Sequence, residues 1–135
     1  MGPGFRLEPL GPEHNQSDHG AWTSSIEHIR ATPGFRDGRW PPVHGLSLAE
    51  NRRDLEGHAD DFGRRVGFTY TVLDDGGRVI GCVYIYPSQS DPGVAQVRSW
   101  VSADHAELDL PLHDTVASWL ATVWPFTEVR YRPAG

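Results

Sequence analysis

Residues 67–88 have the sequence GFTYTVLDDGGRVIGCVYIYPS, in which two runs rich in β-branched and aromatic residues flank Asp-Asp-Gly-Gly. Such runs are typical of strands, and a short Asp/Gly stretch between them is a strong signal for a hairpin turn. The segment therefore predicts two antiparallel strands. The sequence VAQVRSWV, residues 94–101, predicts a third strand soon after them.

Three helices are predicted around these strands. The first begins at Asn15 and ends by Thr32, because the proline that follows disfavours a helical residue before it. Ser47 and Glu50 form a capping-box pattern that opens the second helix, and the third covers residues 110–123. The apolar residues expected to be buried are Trp22, Ile26 and Ile29 in the first helix, Leu48, Leu55, Ala59, Phe62 and Val66 in the second, and Leu112, Val116, Leu120 and Val123 in the third.

Short strands are predicted near both ends of the chain, at FRLEPL (5–10) and FTEVRY (126–131). The resulting order is β-α-α-β-β-β-α-β. It predicts an α/β protein with a mixed, mostly antiparallel sheet flanked by helices. The length of 135 residues, without a repeat or a long linker, predicts one domain over residues 1–135.

Composition argues against several kinds of partner. The net charge of −6 gives no general attraction to nucleic acid or anionic lipid. No apolar run could cross a bilayer and no signal peptide is recognisable, so we expect a cytoplasmic protein. All twelve basic residues are arginine, which with many Gly, Pro and Ala resembles the codon bias of a high-GC bacterium. The lone Cys82 and the irregular spacing of seven histidines favour no metal site.

The element order, the VLDDGGRVIG hairpin and the strand–turn–helix after it resemble the GNAT-type N-acetyltransferases. The resemblance covers nearly the whole chain and implies acetyl-CoA as cofactor and a small-molecule or peptide amine as acceptor. Family members continue past the fifth strand with another helix, which often supplies a tyrosine as general acid, and with two more strands. The present sequence stops after the fifth strand, so we expect either lost activity or completion by a partner chain.

The resemblance also places the cofactor. GNAT proteins bind the acyl-CoA diphosphate on backbone amides of a glycine-rich turn after the fourth strand, but here the glycine positions fall near Glu107, Asp109 and Pro111. Carboxylates repel a diphosphate, and proline lacks the amide that would bind it. The alternative is an ordinary helix start with Asp109 as N-cap. The residues assigned to the cofactor are Val97, Ser99 and Val101 on the fourth strand and Leu110, Leu112 and His113 at the helix start.

The acceptor site is expected at the loop of residues 32–45, which lies where GNAT proteins bind their substrate. Its assigned residues are Arg36, Arg39, Trp40 and His44; the alternative is a loop stiffened by prolines, with Trp40 folded over the core. Arg98, in the middle of a strand, could hold a ligand carboxylate or phosphate, or else pair with an internal acid or reach the sheet edge.

Tyr84 and Tyr86 share a strand face and are the candidate catalytic hydroxyls; the alternative is a structural role as core aromatics. Two functions remain open at this point. One is an acyl-CoA-dependent N-acetyltransferase acting on an unidentified amine. The other is a catalytically silent GNAT-like binding or dimerising module, with a homodimer formed through the edge of strand 126–131.

Overall fold

The computed structural model describes residues 4–132, in which five strands form one sheet in sequence order. The strands are β1 (Arg6–Pro9), β2 (Phe68–Leu73), β3 (Val79–Pro87), β4 (Val94–Val101) and β5 (Glu128–Tyr131). The helices are α1 (Asn15–Thr23), α2 (Ile26–Arg30), α3 (Leu48–Gly63) and α4 (Asp109–Val123), with short 3₁₀ turns at Pro12–His14 and Ala103–Leu108.

The sheet is antiparallel from β1 to β4, and β5 is added parallel to β4. The predicted hairpin is confirmed as β2 and β3, and the predicted third strand is β4 with the same bounds. Within the described residues, strands β4 and β5 pair over four positions, from Val94 opposite Glu128 to Val97 opposite Tyr131. The predicted α/β fold with a mixed, mostly antiparallel sheet is therefore confirmed.

Each face of the sheet carries its own apolar core, because side chains alternate along a strand. Val97 and Val101 of β4 pack with Leu112, Val116 and Leu120 of α4 on one face. On the other face lies a cluster rich in aromatic residues, which includes Trp100 of β4 and residues from β3, α1, α2, α3 and the 32–45 loop: Cys82, Tyr84, Trp22, Ile29, Leu55 and Phe35. The second face carries the candidate site.

The prediction of one helix over residues 15–32 is wrong, because the chain breaks between α1 and α2 at Ser24 and Ser25. Ser24 Oγ donates to the carbonyl of Ala21, and Ser25 Oγ accepts from the amide of Ala103 at 2.9 Å. Serine hydroxyls that bond to backbone compete with the helical pattern. The break thus ties this segment to the turn that follows β4.

The predicted capping box of α3 is confirmed: Ser47 Oγ accepts from the amide of Glu50 at 3.1 Å, and the Glu50 carboxylate accepts from the amide of Ser47 at 3.0 Å. Three residues predicted to be buried are exposed. Leu48 and Val123 lie at helix ends that project beyond the core, and Val66 follows the end of α3, where Arg65 takes a left-handed backbone conformation: Leu48, Val66 and Val123 are 48%, 40% and 69% exposed.

Candidate functional site

A cavity of about 420 Å³ lies on the aromatic face of the sheet, where β3, β4 and the end of β5 meet the 32–45 loop. We call it the arginine cavity; the residues that define it are Tyr84, Tyr86, Val97, Arg98, Arg130 and Arg132. Four predicted site residues, Tyr84, Tyr86, Val97 and Arg98, are thus brought together. Their positions follow from strand alternation, because Tyr84 and Arg98 are directly opposite each other in the β3–β4 ladder.

Arg98 packs against two aromatic rings that also contact each other, with ring centres 6.2 Å apart. Its Cζ atom lies 4.7 Å from the ring centre of Phe35 and 5.2 Å from that of Tyr84, a cation–π geometry. Among residues 4–132 no side chain or carbonyl forms a hydrogen bond or ion pair with its guanidinium, so the predicted pairing with an internal acid is wrong. Packing against aromatic faces fixes the arginine without satisfying its donors.

Tyr84 is a structural aromatic as much as a cavity residue. Its side chain is only 8% exposed, and its hydroxyl accepts a hydrogen bond from Trp100 Nε1 at 3.1 Å. Burial raises the pKa of Tyr84 well above its usual value. A phenol whose burial disfavours its charged form is a poor proton donor, which favours the alternative of a core aromatic for this residue.

Tyr86, by contrast, connects the cavity to a histidine and a carboxylate. Its hydroxyl lies 3.2 Å from His58 Nδ1, which also lies 3.0 Å from the hydroxyl of Thr69. On the far side of the ring, His58 Nε2 lies 3.6 Å from the Asp54 carboxylate. We call Tyr86, His58 and Asp54 the histidine relay. Burial raises the pKa of Tyr86, which keeps its hydroxyl protonated at neutral pH.

His58 and Asp54 were missed as functional residues from the sequence. The sequence could have shown that these two residues share a face of α3, because they are four positions apart. It could not have shown the contact between His58 and Tyr86, because that contact depends on how α3 packs on the sheet.

The fourth strand offers an unpaired backbone edge beside this cavity. Strand β5 ends at Tyr131, opposite Val97, whereas β4 continues to Val101. The edge of residues 98–101 that faces β5 therefore has no strand partner within the described residues, although Arg132 donates a long hydrogen bond of 3.5 Å to the Ser99 carbonyl. The resemblance to GNAT proteins implies that the pantetheine arm of acyl-CoA would lie at this gap between the fourth and fifth strands.

The predicted cofactor residues of β4 can contribute only their backbone. The side chains of Ser99 and Val101 are 0% and 1% exposed and point into the core under α4. The Ser99 hydroxyl is hydrogen-bonded to that of Tyr131, and burial raises the pKa of Tyr131 to about 12. Val97 is 6% exposed but lines the arginine cavity.

The turn where GNAT proteins hold the diphosphate is already occupied by groups of this chain. The 3₁₀ turn Ala103–Leu108 runs directly into α4, and the amide of Asp109 donates to the carbonyl of Ala106. The Asp109 carboxylate accepts hydrogen bonds from both terminal nitrogens of Arg132, at 2.7 and 3.2 Å. The prediction that Asp109 is an N-cap is wrong, because Asp109 is the first residue of the helix and its carboxylate bonds to an arginine.

A second cavity of about 820 Å³ lies between the start of α4 and β5, and we call it the α4 groove. The predicted cofactor residues Leu110 and His113 line it, together with the predicted substrate residue Arg36 and with Arg132. Leu112 is fully buried, so any contact of this residue with a ligand would be through its backbone. Arg132 lines both cavities and separates them.

The 32–45 loop only partly follows the prediction of an acceptor site. Trp40 packs against Trp22 and Trp100, with ring centres 5.3 and 6.1 Å apart, so it is folded over the core as the alternative proposed. The side chain of Arg39 is 88% exposed, and His44 is also exposed; neither lines the two cavities. None of these three residues lines either cavity, and Trp40 and Arg39 reach the arginine cavity only through its lining residues Tyr84 and Asp37.

Two classes of site were also sought within residues 4–132. No group of three or more His, Cys, Asp or Glu side chains there is arranged to hold a metal ion. No helix in that range has the length and apolarity to cross a bilayer.

Neither a protein-family model nor a curated protein sequence matches the chain. Solved structures do match its fold. MccE, the microcin C7 self-immunity acetyltransferase, in complex with acetyl-CoA and AMP, superposes with a TM-score of 0.67 at 10% identity, over 90% of this chain and 65% of that one. The spermidine N-acetyltransferase from Vibrio cholerae in complex with CoA and spermine gives 0.66 at 12% identity, over 94% and 69%.

Another acetyltransferase structure gives a TM-score of 0.72 at 12% identity, over 96% of this chain and 69% of that one. The chain thus has the fold of the GNAT-type N-acetyltransferases and spans about two thirds of the length of these structures. At such identities the likeness concerns the fold.

Proposed function

We propose that the protein is an acyl-CoA-dependent N-acetyltransferase that acts on a small-molecule or peptide amine. The observation that carries this proposal is the position of the histidine relay. The relay opens on the same cavity that borders the unpaired edge of β4. A donor arm on that edge and an amine in the cavity would meet at one place.

Some parts of the candidate site fit acetyl-CoA and others do not. The backbone of residues 98–101 fits an extended amide-bearing arm, because an unpaired strand edge offers donors and acceptors at regular spacing. The turn at Asp109 does not fit a diphosphate, because its amide and carboxylate are both engaged. Bound acetyl-CoA would supply the activated acyl group.

The chain's own contribution is to remove a proton from the amine. As the amine attacks, its proton passes to the Tyr86 oxygen while the Tyr86 hydroxyl proton passes to His58 Nδ1, 3.2 Å away. The Asp54 carboxylate near Nε2 stabilises the resulting imidazolium. His58 takes up the proton that the amine loses. When the acyl carbon–sulfur bond of the donor breaks, this proton would pass from the imidazolium to the released thiolate and give the free thiol.

Thermal unfolding with acetyl-CoA tests the first step. A ligand present at a hundred times its dissociation constant stabilises the folded state by about 2.7 kcal/mol. We expect a clear rise of Tm at millimolar acetyl-CoA. An unchanged Tm would refute the proposal.

Substitution of His58 tests the proton step. We expect His58→Gln to lower kcat about a hundredfold or more, the usual contribution of a positioned base, and to remove the limb of the pH–rate profile that this base produces. His28→Gln on α2, which lines neither cavity, is the matched control and should retain activity. Equal loss in both variants would exclude a specific role for the relay.

A second candidate function is a catalytically silent GNAT-like binding or dimerising module. The Asp109–Arg132 ion pair favours it, because it occupies the turn where a diphosphate would bind. If this pair blocks the cofactor, Asp109→Asn should gain an acetyl-CoA-dependent rise of Tm that the wild type lacks. The proposed homodimer through the edge of 126–131 is tested by light scattering, and a monomer at high concentration would reject it.

A further inference from the structure

We propose that the acceptor is a primary amine that also carries a carboxylate, such as a free amino acid or a short peptide, and that Arg98 binds this carboxylate. The inference rests on the proposed acetyltransferase function for the reaction, but it concerns recognition by residues that can be tested without the donor.

Arg98 has the properties of a prepared anion receptor. Its side chain is half-buried, and its guanidinium lies against the rings of Phe35 and Tyr84. This packing removes part of the rotamer freedom that a surface arginine would lose on binding. The rings take up none of its N–H donors in ordinary hydrogen bonds, so these donors remain available to a carboxylate.

The other charges of the cavity are already compensated. Arg130 is paired with Glu128, and Arg132 with Asp109. Asp37, the acidic residue that lines the cavity, accepts a hydrogen bond from the amide of Arg39 at 3.0 Å and lies 4.0 Å from its guanidinium. Within the described residues, Arg98 is therefore the cavity arginine without an acidic partner.

One unpaired guanidinium matches one negative charge. A carboxylate brings that charge in a planar, two-oxygen form that the arginine edge can hold with two parallel hydrogen bonds. A phosphate dianion would leave charge uncompensated. A polyamine such as the spermine bound by the Vibrio cholerae enzyme would bring positive charge against Arg98.

The cavity also fits such an acceptor in size and in chemistry. Its volume of about 420 Å³ lies at the small end of ligand sites and suits an amino acid or dipeptide. Tyr86 of the histidine relay lines the same cavity as Arg98. A carboxylate on Arg98 would therefore hold the amine of the same small molecule close to the group that takes its proton.

Calorimetric titrations without acetyl-CoA test the proposal. The probes are alanylalanine, alanylalanine amide, O-phosphoethanolamine and spermidine. We expect the wild type to bind alanylalanine at least tenfold more tightly than its amide, in line with a charge-assisted hydrogen bond, and more tightly than the phosphate or the polyamine. Arg98→Gln should abolish the preference for the carboxylate.

Arg53→Gln is the matched control, because Arg53 is an exposed arginine on α3 that lines neither cavity. It should keep the wild-type preference. If Arg98→Gln does not fold, Arg98→Lys serves instead: it keeps the charge, loses the two-pronged contact and should lower the preference several-fold.

Equal affinity for alanylalanine and its amide would overturn the proposal, as would a preference that survives in Arg98→Gln or the absence of any binding at millimolar concentration. Tighter binding of O-phosphoethanolamine or spermidine would overturn the choice of a carboxylate. Because no donor is present, a carboxylate preference found together with an unchanged Tm in acetyl-CoA would refute the acetyltransferase and leave the anion site standing.

Discussion

Asp18 on α1 has a buried carboxyl group with few hydrogen bonds to stabilise its charged form. Its replacement by a neutral residue therefore has a predictable effect on the free energy of unfolding. The residue is 4% exposed, and its carboxylate accepts one hydrogen bond, from Asn51 Nδ2 at 3.0 Å. Asn51 is fixed in turn by Trp22 Nε1, which donates to its Oδ1 at 3.0 Å. Burial raises the pKa of Asp18 from 3.8 to about 6, and the bond from Asn51 lowers it only in part.

The direction in which pH changes the stability follows from the number of protons that Asp18 binds in the folded and unfolded states. Between about pH 4 and pH 6 the folded state holds a proton on Asp18 that the unfolded state has lost, so stability falls as the pH rises through this range. One pKa unit corresponds to about 1.4 kcal/mol, so the full loss above pH 6 is about 3 kcal/mol. Below the unfolded pKa of 3.8 both states are protonated and the loss disappears.

Asp18→Asn removes the titration and keeps an oxygen that can accept from Asn51. We expect the variant to be more stable than the wild type by 1–3 kcal/mol at pH 8, after a cost of about 1 kcal/mol for its extra amide donors. Near pH 4 the advantage should vanish or reverse. Urea unfolding at pH 4, 5, 6 and 8 measures this difference, and a change of 2 kcal/mol shifts the midpoint by about 1 M.

The difference between variant and wild type isolates Asp18, because the other groups titrate in both proteins. Asp75→Asn, at an exposed turn position of the β2–β3 hairpin, is the control for the loss of one carboxylate and should not reproduce the stabilisation expected for Asp18→Asn at pH 8. A stability difference for Asp18→Asn that stays constant from pH 4 to pH 8 would refute the reasoning.

Two further substitutions test the packing around the site. Gly67→Ala would place a Cβ atom 2.4 Å from Cε1 of the Tyr86 ring, so we expect thermal unfolding to show a loss of stability of about 1–3 kcal/mol. If Tyr86 relays the proton, the rate of acetyl transfer should fall as well. The control Gly63→Ala, whose Cβ meets no atom within 4 Å, should lower neither stability nor rate. Ser47→Ala should destabilise the protein by about 1 kcal/mol in urea, because it removes the hydroxyl that caps α3 at the amide of Glu50; no loss would show that α3 does not depend on this cap.

The sheet was predictable because its signals are local. The hairpin follows from two β-branched runs around Asp-Asp-Gly-Gly, and the two faces of β4 follow from the alternation of Val97 and Val101 with Arg98 and Trp100. Each pattern lies within a few residues of sequence. The break between α1 and α2 was missed because the apolar positions continue across it, and the bond from Ala103 to Ser25 joins distant parts of the chain.

The candidate site was predictable only residue by residue. Tyr86 was a candidate because it shares a strand face with Tyr84, and Arg98 because an arginine is unusual in the middle of a strand, but their partners come from other elements. The ring of Phe35 reaches Arg98 from a loop, and His58 reaches Tyr86 from α3. The acidic character of the turn before α4 was evident in the sequence, whereas its use as an anchor for Arg132 required the fold.

The contrast between the two faces of β4 also protects the sheet against misfolding. A shift of β4 by one residue against β3 would turn the Arg98 guanidinium into the aliphatic core under α4 and turn the side chains of Val97 and Val101 toward the aromatic face of the sheet. Burial of an unpaired charge costs far more than the few hydrogen bonds such a register could recover. Arg98 therefore makes the shifted register unfavourable and helps to select the observed register during folding, independently of any ligand.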